Sequence, residues 1–357
     1  MPGTGEKKRL LFLHTGGTLG MLGGEPGPLH PAHYAENVFP FVKGLEEKVE
    51  LTGLQICNLD STDITPALWE EMGRAITERY DEYEGFVVLH GTDTMAWSAT
   101  ALSFMLQNLQ KPVIFTGAQR SLAQLRSDAR ANIIHSAICA TLNIPEVCLF
   151  FGSHLLRGNR ATKTSIQSYD AFESPNLRPL VDVGVKLKYG AATLWPEGDF
   201  CFKSGFCTDI SVITLFPGMS SLAIRRAIEA GARGIVLFGF GSGNLPLEGW
   251  SDAIAEASEQ GVPVVVGSQC SHGWVDLTAY EGGAFALSVG ALSAAEMTRE
   301  AAVVKLMFLL GQELPIDALR AAWSVPLAGE ISTPEARFLE NPFGDGAFGD
   351  DTFGGNT

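Results

Sequence analysis

The chain has 357 residues, 46% of them hydrophobic, which is enough for a sizeable core without a disulfide or metal staple. Its 40 acidic against 25 basic side chains leave a net charge of −15, which repels phosphate backbones and anionic membrane surfaces and sets nucleic acid and membranes aside as partners. The apolar run after Lys7, Lys8 and Arg9 breaks at His14 and Gly16, too soon for a signal peptide or a membrane span, and this points to the cytoplasm.

The first predicted strand, Arg9 to His14, exits into Thr15, Gly16, Gly17 and Thr18. A second, Leu54 to Leu59, exits into Asp60, Ser61 and Thr62. Thr65 and Pro66 then start a helix whose apolar positions are Leu68, Met72, Ala75 and Ile76. A third strand, Phe86 to His90, exits into Gly91, Thr92 and Asp93, and a helix follows through Leu102, Met105 and Leu106. A fourth, Pro112 to Thr116, exits into Gly117, Ala118 and Gln119. Ser127 or Asp128 begins the next helix, with Ile133, Ile134, Ala137 and Ile138 on its apolar face, before a strand at Val147 to Phe151. Successive apolar residues in these runs are the mark of strands buried on both faces, as in α/β proteins.

Between Lys188 and Ser211 the pattern lapses into Trp195, Pro196, Gly198 and Gly205, so residues 191–211 read as an interdomain linker between domains at 1–190 and 212–335. The second domain alternates strands at Val212 to Phe216, Ile235 to Phe240 and Pro263 to Gly267 with helices from Ser220 or Ser221 to Ala230, Glu248 to Gln260 and Ala294 to Leu310. Residues 336–357 are rich in Gly, Asp and Phe and have too little contiguous apolar surface to fold alone, which makes them an acidic tail.

Four polar strand exits in succession predict one sheet edge crowded with hydroxyls, carboxylates and glycines, the edge at which open α/β sheets bind ligands. Asp93 or Thr94 has a structural alternative as a helix cap. A threonine hydroxyl is a weak nucleophile that needs a base, and a Thr-Lys-Asp arrangement is a relative of the Ser-Lys variant of the catalytic triad. Lys163, in RGNRATKTS beside Arg157, Asn159 and Arg160, is the candidate lysine, with a solvated loop position as its alternative. No GxxxxGK[ST], complete dinucleotide fingerprint or GxSxG elbow occurs. Cys57, Cys139, Cys148, Cys201, Cys207 and Cys270 show no zinc-ligand spacing and read as free buried thiols, and His30 and His33 have no partners to complete a metal site.

Taken together, HTGGTLG at His14, GFVVLHGTDTM at Gly85, LDSTDITPALW at Leu59, KPVIFTGAQRSLAQLRSDARANI at Lys111 and LFFGSHLLRGNRATKTS at Leu149 closely resemble the bacterial-type L-asparaginases, in their cytosolic type I branch. DAFESPNLRPL at Asp170, GSGNLP at Gly241 and SQC at Ser268 extend the likeness, which runs from about Arg9 to Ser332. The resemblance implies a two-domain fold with a larger N-terminal mixed sheet flanked by helices and a smaller C-terminal parallel α/β sheet. It implies hydrolysis of L-asparagine to L-aspartate and ammonia with no metal or cofactor. Thr15 then matches the nucleophile, and Thr92, Lys163 and Asp93 match a second catalytic group. Gly16, Ser61, Thr62, Gly91, Asp93 and Ala118 fall at substrate positions, Ser61 toward the α-carboxylate and Asp93 toward the α-ammonium. Asn244 matches a position that reaches a neighbouring subunit's site, which implies a homodimer or homotetramer.

Two positions depart from the family pattern. Pro28 stands where a loop Tyr is expected, with Tyr34, His30 and His33 the nearest substitutes, and Phe238 stands where allosteric members carry an Arg. The rivals within the fold are an amidotransferase subunit and a lysophospholipase-like or glutamine-directed hydrolase. Outside it, a catalytically weak asparagine sensor is the alternative.

Overall fold

Alternate residues of the central strands pack on opposite faces of one sheet, as the pleat requires. Leu11, Leu13, Phe86, Val88, Val113 and Phe115 join one buried cluster, and Leu10, Phe12, Val87, Leu89 and Ile114 join another. The computed structural model in which this is seen describes residues 7–17, 38 and 42–333. Pro28, His30, His33, Tyr34 and the 336–357 tail lie outside the described residues.

The N-terminal half contributes β1 (Lys8–Gly16), β2 (Val49–Leu59), β3 (Gly85–Leu89), β4 (Leu106–Gln107), β5 (Val113–Thr116), β6 (Val147–Phe151), β7 (His154–Arg157), β8 (Thr162–Lys163), β9 (Phe172–Glu173), β10 (Val181–Val183) and β11 (Leu187–Tyr189). Eight of these form a mixed sheet in the order β11-β10-β7-β6-β5-β3-β1-β2. From β6 to β2 the neighbours run parallel, and from β6 to β11 they run antiparallel. The expected strands are therefore the parallel block, and the antiparallel flank is new.

Helices α1 (Pro66–Glu78) and α2 (Met95–Met105) cover one face and α3 (Ala129–Cys139) the other. In α1 the expected apolar face holds, with Trp69 in place of the half-buried Leu68 as its largest buried side chain. Ten of the 11 residues of α2 are buried, because it is enclosed between the sheet and the C-terminal half.

The C-terminal half carries β13 (Ile210–Thr214), β14 (Gly234–Gly239), β15 (Val264–Ser268) and β16 (Leu292–Ser293), all parallel and in that order. Its helices are α4 (Leu222–Glu229), α5 (Trp250–Glu259), α6 (Glu281–Ser288), α7 (Arg299–Gly311) and α8 (Ile316–Trp323). The helix expected from Ala294 instead begins at Arg299, where the Thr298 hydroxyl accepts from Ala301 N–H, and α6 and α8 were not expected. Alternation again divides the strands: Ile235 and Leu237 face a cluster of this half's own, while Val236 and Phe238 join the cluster that holds α2 and α7.

Most of the stretch expected as a linker, 191–211, is exposed or half-buried, but it is tied to both halves at a few points. Its β12 (Cys201–Phe202) pairs with β4, Phe200 stacks on Tyr80 with centroids 3.9 Å apart, and Cys207 N–H donates to Met307 O. Single aromatic insertions of this kind leave no periodicity to read. The cysteine expectation also needs correction: Cys139, Cys148 and Cys207 are buried, but Cys201 and Cys270 are exposed. Among the described residues no helix is long and apolar enough to cross a membrane, and no group of three or more His, Cys, Asp or Glu side chains is placed to hold a metal ion.

Candidate active site

Because β5, β3, β1 and β2 are adjacent and parallel, their four polar exits meet at one edge, as the sequence pattern requires. The exits approach so closely that only glycine fits between them. A Cβ on Gly16, whose φ is +112°, would lie 2.1 Å from Leu59 O, and one on Gly17 would lie 2.4 Å from Gly91 Cα. Gly91 in turn abuts Ser61, since its Cβ would fall 2.7 Å from Ser61 Oγ. Gly17 N–H closes the β1 exit onto β2 by donating to Leu59 O at 2.9 Å.

On this floor Thr15 is 1% exposed, and its hydroxyl donates to Leu89 O at 3.1 Å. The Cys57 thiol donates to Thr15 O, and burial, with Glu71 nearby, pushes its pKa up to about 11, so it stays a thiol. Ser61 is also buried. Thr62, at the exposed end of the same turn, donates its hydroxyl to Asp60 Oδ1 at 2.9 Å.

Lys163 arrives from β8, which the antiparallel pairing of Lys163 with Phe172 in β9 holds in place. Its Nζ donates to Thr92 Oγ1 at 2.8 Å and to Asp93 Oδ1 at 2.6 Å. The solvated-loop alternative for Lys163 fails on these contacts, as does the capping alternative for Asp93. The residue at the helix cap, Thr94, makes no side-chain capping bond and donates instead to Ser61 O at 2.6 Å. The three neighbours of Lys163 in sequence face elsewhere: Arg157 pairs with Glu146, Arg160 with Glu296, and Asn159 donates to Ala328 O.

Thr15, Gly16, Ser61, Gly91, Thr92, Asp93 and Lys163 are thus gathered at the exits of β1, β2 and β3, with Ala118 buried at the exit of β5. No hydrogen bond among the described residues joins Thr15 to Thr92 or Lys163. Asn244 is not brought to this edge by any described contact. It follows β14 in the second sheet, where its backbone pairs with Phe240. Phe238 is buried, with the Arg299 guanidinium carbon 4.8 Å above its ring centre.

Gln119 belongs to the cluster although only its place at a strand exit marked it. Its Oε1 lies 3.4 Å from Thr92 Oγ1, and its Nε2 donates to Ser168 O at 3.1 Å. Asp128, expected only as a helix start, accepts from the backbone N–H groups of Gln119 and Arg120 and so fixes the β5 exit. The edge thus gathers a carboxylate at Asp93, hydroxyls at Ser61 and Thr15, and a Thr92–Lys163 pair able to pass a proton.

The chain matches the family models for Asparaginase, N-terminal, over residues 9–193 and for the Glutaminase/Asparaginase C-terminal domain over residues 209–322. It is similar to L-asparaginase 1 of Escherichia coli (strain K12), at 38% identity over 92% of this chain and 99% of that protein. It is also similar to the 60 kDa lysophospholipase of Homo sapiens, at 36% identity over 92% of this chain and 62% of that protein. Among solved structures, L-asparaginase I from Vibrio cholerae superposes with a TM-score of 0.83 at 37% identity, covering 92% of this chain and all of that one.

Proposed function

The chain belongs to the asparaginase family, and from that premise we propose that it hydrolyses the side-chain amide of L-asparagine to L-aspartate and ammonia. The observation that carries this reading is the Lys163 ammonium set between Asp93 and the Thr92 hydroxyl, at the strand exit beside Thr15. Asp93 takes the substrate α-ammonium and Ser61 the α-carboxylate, which leaves the side-chain amide over the glycine floor, where the main chain of Ala118 receives it and the Gly91 backbone N–H is a candidate donor to the developing oxyanion. Thr15 Oγ attacks the amide carbon, ammonia departs, and water cleaves the resulting ester. The Thr92-Lys163-Asp93 group moves the protons that these two steps require.

The same reading makes the working unit a cytoplasmic homodimer or homotetramer in which Asn244 of a neighbouring copy completes the site. It also assigns no effector site at Phe238, because an apolar ring there offers no donor to a second asparagine. Ammonia release from L-asparagine, L-glutamine and D-asparagine, with a lysophospholipid assayed beside them, tests the proposal. Preferred turnover of L-asparagine on a hyperbolic rate curve is expected. Turnover of the lysophospholipid alone would move the chain to the hydrolase alternative, and a rise in melting temperature with asparagine but no ammonia would make it a sensor.

A further inference from the structure

Behind Thr92 lies a chain of side chains that the proposed reaction does not touch. Trp69 Nε1–H donates to Ser98 Oγ at 2.9 Å, Ser98 Oγ lies 2.9 Å from His90 Nε2, and His90 Nδ1 lies 2.7 Å from Gly91 O. All three residues are buried, with Ser98 and His90 at 0% exposure. The hydrogens have one consistent arrangement. The Gly91 carbonyl can only accept, so Nδ1 carries the ring proton, and indole N–H can only donate, so Ser98 receives it and passes its own hydrogen to Nε2. A neutral ring fits this pattern completely, and burial lowers the His90 pKa to about 4.

The end point of the relay matters because Gly91 O and Thr92 N–H belong to one peptide plane. In a trans peptide the two groups point in opposite directions, so drawing the carbonyl inward turns the Thr92 N–H outward. Among the described residues that N–H makes no hydrogen bond. Gly91 has no side chain with which to fix the plane, and contact with Ser61 leaves no room for one. Among the described residues, the only side chain that holds the Gly91 carbonyl is His90.

We propose that His90, with Ser98 and Trp69 behind it, is a positioning residue for Thr92: its Nδ1–H fixes the Gly91–Thr92 peptide so that the Thr92 N–H faces bound substrate and Thr92 Oγ1 stays in reach of Lys163. This rests on the reading of the site as an amidohydrolase centre. The relay supplies direction and never contacts the reacting atoms.

Two amide substitutions separate this role from simple packing. Asn in place of His90 puts an N–H where Nδ1 was, while Gln reaches toward Ser98, fills more of the ring's volume and leaves the Gly91 carbonyl without a donor. His90→Asn is expected to keep kcat within about threefold, and His90→Gln to lose about tenfold or more in kcat with KM within about twofold, the size expected for one buried carbonyl losing its donor. Ser98→Ala, which loosens the ring without removing its Nδ1–H, is expected to fall between them. The reverse order of Asn and Gln, or equal kcat with changes confined to melting temperature, would overturn the proposal. Should the Gln variant not fold, ¹⁵N shifts of the His90 ring in the unaltered chain decide the point: the Nδ1–H tautomer is expected, and the Nε2–H tautomer overturns it. Absence of ammonia release by the unaltered chain would sink the amidohydrolase reading itself, which the Asn-to-Gln ratio does not test.

Discussion

Lys305 and Lys163 each hold a carboxylate oxygen at 2.6 Å, Glu330 in one case and Asp93 in the other, but the two pairs differ in everything around that contact. Both members of the Lys305–Glu330 pair are 0% exposed, whereas the Asp93 side chain is 58% exposed and the Lys163 side chain 16%. Lys305 also donates to Trp323 O and Val325 O, and Glu330 accepts from Leu327 and Ala328 N–H, so the enclosed pair has every valence filled by its own chain. Lys163 has one further contact, and that contact is the Thr92 hydroxyl at the same strand exit. The enclosed pair is a fastening for the segment after α8, and the open pair presents charge to whatever enters the strand exits.

The largest expected effect is on the open side. Lys163→Met, Thr92→Val or Thr15→Ala should each lower ammonia release by ~10⁴-fold, in line with the removal of one member of a nucleophile-base unit. Thermal unfolding of Lys163→Met should move little, because the Asp93 carboxylate it leaves unpaired is exposed to water. Either threonine variant retaining near-native turnover would remove that residue from its proposed role.

On the enclosed side the effect appears in stability. Lys305→Met strands a buried carboxylate, which typically costs about 3–5 kcal/mol, a large share of the ~5–15 kcal/mol that holds a domain folded. Lys305→Met with Glu330→Gln should recover much of that loss, since the amide oxygen still accepts from Leu327 and Ala328. Urea midpoints of the single and double variants measure the difference. A single variant as stable as the double would mean that the pair is not an isolated buried charge.

Acid probes the same contrast through His14 and His90, which burial brings down to about 3 and about 4. Their unfolded value is near 6.5, so below that pH the unfolded chain binds protons that the folded chain excludes, and stability falls as pH drops toward 4. Each histidine contributes about 2 kcal/mol of that loss between pH 7 and pH 5. Denaturant midpoints across this range should fall, and His90→Asn should remove roughly half of the histidine contribution.

What was legible in the sequence follows the same division between the open edge and the enclosed interior. The parallel block could be read because Gly85–Leu89 and Val147–Phe151 are apolar at every position and each exit is marked by Gly and hydroxyls. The open edge followed from that block, since adjacent parallel strands bring their exits together. The antiparallel flank was not legible: His154–Arg157 and Val181–Val183 have four and three residues, too few for a period, and their pairing is decided by partners distant in sequence. Asp128 was legible only in part, since the helix does begin at Ala129 directly after it. A carboxylate one residue before a helix reads as a cap, and nothing local shows that it faces the Gln119 and Arg120 amides instead. Lys305 stands as the single charge in the apolar run from Ala301 to Leu310, but nothing in the sequence shows that Glu330 is its partner.

The smallest expected effect lies between the two sides, at Thr94. Its hydroxyl donates to Ser61 O at 2.6 Å and fastens the β3 exit to the β2 exit, next to the hydroxyl assigned to the substrate carboxylate. Valine keeps the shape and removes one neutral hydrogen bond, worth about 1 kcal/mol net. If that bond serves to hold Ser61, the loss falls on binding, and about 1 kcal/mol expressed there raises KM roughly fivefold with kcat unchanged. The Lys163 contacts with Thr92 and Asp93 do not involve Thr94, which is why kcat should be spared. Steady-state rates of Thr94→Val against asparagine separate the two constants. A fall in kcat at constant KM would instead tie Thr94 to the Thr92 side of the edge, and the division between a binding exit at β2 and a reacting exit at β3 would have to be redrawn.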